Sequence, residues 1–204
     1  SISEDQRIQL LLIGFCFNAF LEGAAGFGVP IAICAVLLIQ LGFEPLKAAM
    51  LCLIANGAAG AFGAIGLPVS IIDTFNLSGG VTTLDVARYS ALTLPILNFI
   101  IPFVLVFVID GMKGIKEILP VILTVSGTYT GLQLLLTIFH GPELADIIPS
   151  LATMVVLAFV CRKFKPKNIF RLEASEHKIQ KRTPKEIVFA WSPFVILTAF
   201  VLVW

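Results

Sequence analysis

Hydrophobic positions in this chain are gathered into long unbroken runs, separated by short polar stretches. The runs cover about residues 8–28, 30–42, 46–64, 90–110, 118–139, 147–161 and 187–204. Continuous rather than alternating hydrophobicity argues for helices and against an outer-membrane barrel. A helix needs about 20 apolar residues to cross a hydrocarbon core of about 30 Å. The pattern therefore predicts an all-α integral membrane protein: a polytopic helical bundle of about seven segments, with 1–204 as one transmembrane domain. Residues 71–89 are mixed and read as a loop, with a short helix from near Thr83. Short turns are expected at Gly111–Glu117 and His140–Asp146.

One stretch interrupts this pattern. Phe20-Leu21-Glu22-Gly23-Ala24-Ala25-Gly26-Phe27-Gly28-Val29-Pro30 places a carboxylate, three glycines and a proline in an apolar region. A charge at bilayer depth is costly and rare without a purpose. Broken backbone there is tolerated only where protein or a water-filled cavity satisfies the freed amides and carbonyls. Pro30 suits the first turn of a helix, but 30–42 gives roughly 20 Å of helix, too short to cross alone. Glycine-broken segment 8–42 either crosses twice or re-enters on the side it came from. The tetrapeptide Gly-Ala-Ala-Gly at 23–26 returns at 57–60, and each copy is followed by Phe-Gly and then a proline. Two readings stand: a repeated device, in which a broken helix precedes a half-helix, or coincidence in a small-residue sequence.

Composition agrees with the membrane reading. Only 13% of residues are charged, about half the usual share, and mean hydropathy is +0.99. Nine of the 14 Lys and Arg lie between Arg162 and Lys185. A basic loop in such a chain is first a topology signal. With loop 162–186 in the cytoplasm, counting crossings backwards puts Lys113, Lys116, Lys47 and Arg7 inside and Arg88 outside. The loop lacks the interleaved aromatics and the module of a nucleic-acid binder. Cys16, Cys34, Cys52 and Cys161 have no ligand spacing and read as buried small hydrophobes. No metal site, cofactor motif or nucleophile–base pair is present, which argues against an enzyme; the glycine run lacks the Lys-Ser/Thr of a phosphate loop. The first residue is not Met, and apolar run 187–204 has no polar flank after it, so a piece of a longer chain is expected.

Glu22 is the only acidic residue well inside an apolar run. A carboxylate in a low-dielectric site can bind and release a proton near neutral pH, which suits proton coupling. The rival reading is a carboxylate that caps the freed amides of 23–28. No Lys or Arg lies deep in a run, so an anionic ligand would be held by helix N-termini at Pro30 and Pro68 and by backbone at glycines. The candidate substrate-binding residues are thus Gly23, Gly26, Gly28, Pro30, Asn56, Gly57, Gly60, Gly63 and Gly66. The rival is that the glycines only allow close helix packing. Asn18, Asn56 and Asn98 are ligand contacts or, more commonly, interhelical hydrogen bonds.

Residues Asp5-Gln6-Arg7-Ile8-Gln9, Phe20–Gly28, Pro45-Leu46-Lys47-Ala48-Ala49, Cys52-Leu53-Ile54-Ala55-Asn56, Ala61–Gly66 and Ala190-Trp191-Ser192-Pro193 closely resemble the bacterial lactate permease family. The resemblance implies a permease of the bacterial cytoplasmic (inner) membrane that imports lactate, and often glycolate, with protons. Its partners would be a small monocarboxylate, protons and the lipid bilayer. It also favours a hairpin near residues 20–35. Val29, where the family has Thr, and Gly57-Ala58-Ala59-Gly60, where Thr-Ala-Pro-Val is usual, depart from the pattern and bear on which acid is carried. Two other functions remain in view: a channel or facilitator for small organic acids, and a membrane subunit that scaffolds a partner without transporting.

Overall fold

The computed structural model describes residues 3–75, 79–166, 168–172, 192 and 196. Expected segment 187–204, apart from residues 192 and 196, and residues 173–186 of the basic loop lie outside them. The described residues contain helices and turns and no strand. The helices are α1 (Gln6–Ala24), α2 (Val29–Gln40), α3 (Pro45–Asn56), α4 (Gly63–Ser70), α5 (Thr83–Glu117), α6 (Leu119–Phe139) and α7 (Ile147–Lys163). Helices α1, α5 and α6 are long and apolar enough to cross a membrane. Helix α3 and the segment Gly60–Phe75 make a fourth if their 62° bend is counted as one broken span. This is a multi-pass membrane protein.

Local chemistry sets the helix starts. Pro30, Pro45 and Pro120 occupy first-turn positions of α2, α3 and α6, where a missing N–H costs nothing. Helix α5 begins before the apolar run at 90, because Thr82 and Asp85 form a reciprocal capping box. It departs from helical geometry at Gly111, and the expected loop 111–117 winds on as a short helical turn. Helix α1 is π-helical over Leu10–Phe17.

Helices α1 and α2 form a hairpin. Gln6 Nε2 donates to Leu41 O at 2.6 Å, so the start of α1 and the end of α2 lie together. Gly14 has no side chain to hold off Leu38. Helix α3 turns back along the pair, and Asn18 Nδ2 donates to Cys52 O at 3.1 Å. All four cysteines are free and buried.

The start of α1 is tied to the ends of α5 and α7 by one buried arginine. Arg7 is 1% exposed. Its Nε and Nη2 donate to Asp5 at 3.0 and 2.7 Å, and Nη2 also to Asn168 O at 2.9 Å. Its Nη1 donates to Asp110 and Glu117, each at 2.7 Å. All five guanidinium donors are used, and the group lies 5.5 Å from the Phe170 ring centre. A cavity of about 670 Å³ at this end is lined by Lys113, Lys116, Glu117 and Lys165 among others. Arg7, expected from the sequence to be a flanking topology charge, is a buried hub in the fold.

Most buried apolar side chains form one core between α1, α2, α3, α5, α6 and α7. A smaller cluster of Phe62, Val69, Ala87 and Ala145 lies where α4 meets α5 and the α6–α7 turn.

Candidate functional site

Three chain breaks meet at the far end of α1. The first follows α1, where Gly26, Phe27 and Gly28 take φ of 62°, 55° and 82°. The second lies at the start of α4, where Ala64, Ile65 and Gly66 take φ of 47°, 59° and 71°. The third is the α6–α7 turn, Gly141 to Asp146. Each of the first two breaks is a run of three left-handed residues with a proline two positions later, Pro30 and Pro68. The backbone thus equates 26–28 with 64–66, whereas the tetrapeptide repeat pairs 23–26 with 57–60. A left-handed β-branched residue such as Ile65 is a genuine outlier, and such strain persists where surroundings enforce it, often at functional sites.

The breaks touch through glycine. A Cβ on Gly26 would lie 2.8 Å from Ala64 Cβ and 2.9 Å from its amide nitrogen. One on Gly66 would lie 2.7 Å from the Pro142 carbonyl carbon, and one on Gly23 would lie 2.8 Å from Asp146 Cβ. At Gly63 the neighbour would be Glu22 Oε1, 2.6 Å away. Gly26→Ala should cost at least about 1–2 kcal/mol for the left-handed backbone, and more for the collision with Ala64. Gly28→Ala pays the conformational part alone, because the space above Gly28 is open. Thermal unfolding of the two full-length variants should show the larger loss for Gly26→Ala.

Of the residues singled out from sequence, Glu22, Gly23, Gly26, Asn56, Gly63 and Gly66 come together here, and Pro30 is buried at the start of α2. Gly28, Gly57 and Gly60 are exposed. Glu22 is 6% exposed, its Oε2 is buried without a partner, and the Asn56 side chain is beside it. Beyond its left-handed triplet α4 runs from Leu67 to Ser70 and continues as a 3-10 turn to Phe75, with Pro68 exposed in its first turn.

The neighbours of Glu22 are not legible in the sequence. Asp146, placed there in a polar turn, is 1% exposed. Its Oδ1 accepts from Tyr129 Oη at 2.9 Å and from Gln133 Nε2 at 2.7 Å. Gln133 Oε1 in turn accepts from Asn98 Nδ2 on α5. The tyrosine ring stands edge-on to Phe15 of α1, with centroids 5.1 Å apart. The available signal is the four-residue spacing of Tyr129 and Gln133, which puts both on one face of α6. Asn18 and Asn98 both make bonds between helices.

The depth of this cluster follows from α5. Asn98 lies about 18 Å along that helix from Asp110 and about 22 Å from Thr83, at 1.5 Å per residue. The two buried carboxylates are thus level with the middle of the longest helix, and no Lys or Arg pairs with either among the described residues. Carboxyl groups buried in this way can bind protons away from lipid.

Comparisons with known proteins converge. A family model described as L-lactate permease matches residues 1–204. An L-lactate permease of Halalkalibacterium halodurans is 64% identical over 203 residues, covering all of this chain and 39% of the relative. An L-lactate permease of Escherichia coli is 42% identical over 211 residues, again covering all of this chain and 38% of the relative. The glycolate permease GlcA of Escherichia coli is 43% identical over 222 residues, with all of this chain and 39% of that protein covered. The chain thus spans about two fifths of the length of these relatives. No solved structure matches.

Proposed function

The chain belongs to the L-lactate permease family, and on that premise we propose that it forms the proton-coupled site of a secondary transporter for lactate and related small 2-hydroxy acids such as glycolate. The protein would work in the bacterial cytoplasmic membrane, with the Arg7 end and loop 162–186 on the cytoplasmic side. The observation that carries this reading is the buried carboxylate Glu22, set among broken backbone at the middle depth of α5. Its relatives, an L-lactate permease and a glycolate permease, supply the substrate class.

Electrostatics sets the order of events. A lactate carboxylate about 5 Å from a charged Glu22 would be repelled by roughly 3 kcal/mol at an effective dielectric of about 20. That is on the order of 200-fold in affinity. With no cation beside it among the described residues, the site would accept the anion only after Glu22 takes a proton, and this would tie the two fluxes together. Backbone at Gly23, Gly26, Gly63 and Gly66, with Asn56, would hold the anion, since bare glycine lets a small ligand approach closely. Exposed Phe27, Gly28, Val29, Gly57 and Gly60 would face the part of the protein beyond this chain.

The test is uptake of radiolabelled lactate by the full-length protein in liposomes, with and without an inward proton gradient. Uphill accumulation only with the gradient is expected. Equilibration without accumulation would instead indicate a facilitator, and no uptake would indicate a scaffold.

A further inference from the structure

Asp146 is as buried as Glu22 and has no role in the transport site so far. Both of its hydrogen-bond donors, Tyr129 Oη and Gln133 Nε2, point at the same oxygen, Oδ1. The second oxygen, Oδ2, is sealed from solvent with no partner. A buried carboxylate with one bare oxygen is a costly arrangement. A carboxyl group that carries its hydrogen on Oδ2 is not: Oδ1 remains the acceptor and Oδ2 becomes a donor. Gln133 cannot turn to offer Oε1 to Asp146, because that atom accepts from Asn98. Gly23, the residue after Glu22, packs directly on Asp146 Cβ, and Glu22 Oε2 is likewise buried and unpartnered.

We propose that Asp146 is a second proton-binding residue of the transport site, its Oδ2 carrying a hydrogen while the small carboxylate anion is held beside Glu22. This rests on the proton-coupled reading above. The O–H bond forms with a proton from water on the side where the substrate enters. It breaks towards water on the side where the substrate leaves. Tyr129 and Gln133 keep their hydrogens throughout and act as positioning residues. The titratable groups facing Asp146 are Glu22 of α1 and Tyr129 of α6, with Cys16 of α1 against the tyrosine. No Lys or Arg pairs with it among the described residues. With both carboxyls neutral, the anion meets two potential donors. With both charged it would be a third negative group in one enclosure.

The test uses full-length protein in proteoliposomes with radiolabelled lactate. Wild type comes first: failure to accumulate lactate on a proton gradient removes the underlying reading, separately from the proposal on Asp146. Given wild-type accumulation, Asp146→Asn should lower the steady-state ratio under a one-unit pH difference by about tenfold, one proton's share. The fall of lactate exchange with rising pH should also become less steep by one proton. An unchanged ratio and slope in Asp146→Asn overturns the proposal. Should that variant not fold, Tyr129→Phe decides. Removing a donor from Oδ1 favours the protonated form, so the pH midpoint of exchange should move upward; an unmoved midpoint overturns the proposal. Accumulation driven by a sodium gradient at equal pH also overturns it, since the carboxylates would then bind a metal cation.

Discussion

Glutamine in place of Glu22 lowers the ratio of internal to external lactate that the full-length protein reaches under a one-unit pH difference by at least about tenfold, the share of the proton that Glu22 carries. Glutamine matches the size of the carboxyl group, so the close packing on Gly63, where an added Cβ would lie 2.6 Å from Oε1, is preserved. It also keeps one acceptor and supplies a donor in place of the acid hydrogen. What it removes is the titration. A permanently neutral side chain admits the anion regardless of pH and returns no proton, so exchange of lactate for lactate becomes less sensitive to pH. Measured side by side in liposomes, exchange and gradient-driven uptake should therefore separate in this variant. Full uphill accumulation by Glu22→Gln would remove Glu22 from proton coupling.

Arg7→Ala is expected to have the largest effect on stability, about 3–5 kcal/mol, the usual consequence of removing one partner from a buried ion pair. The loss leaves Asp5 buried beside Asp110 and Glu117, without the charge that pairs all three. Arg7→Lys should recover only part of it. A lysine has three donors on a single atom and cannot reach Asp5, Asn168 O, Asp110 and Glu117 at once. Thermal unfolding of the purified full-length variants should rank wild type above Arg7→Lys and Arg7→Lys above Arg7→Ala. Equal stability of Arg7→Ala and wild type would show that the hub contributes nothing.

Much of this was legible in the chain, and the reasons for the remainder are physical. Apolar continuity identifies the helices, and Pro30 marks where α2 opens. Glu22 stands out because its neighbours in sequence are apolar. Asp146 does not, because Gly141, Pro142 and Glu143 surround it; its burial comes from Tyr129 and Gln133, one helix away, and from Gly23. Arg7 resembles a flanking charge because two of its partners are 103 and 110 residues distant. The repeat is visible as Gly-Ala-Ala-Gly, yet its structural register differs. Left-handed geometry at Ala64 and Ile65 is not legible from residue type; Ala64 lies against Gly26 of the first break. The early start of α5 needs the Thr82–Asp85 cap to outweigh Asp85 and Arg88, which lower the hydropathy of that turn.

The Arg7 hub has a mechanical consequence. Its bonds fasten the entry to α1, the foot of α5 and the strap after α7 to one planar group. None of these parts can slide past another without breaking charge-assisted bonds. The chain therefore has no joint at that end, and its helices would travel as one lever. On the transport reading proposed above, the hydrophobic flank around Phe27 and Val29, 79% and 45% exposed at the other end of α1, would be the face that moves as the carboxylates open to one side and then the other.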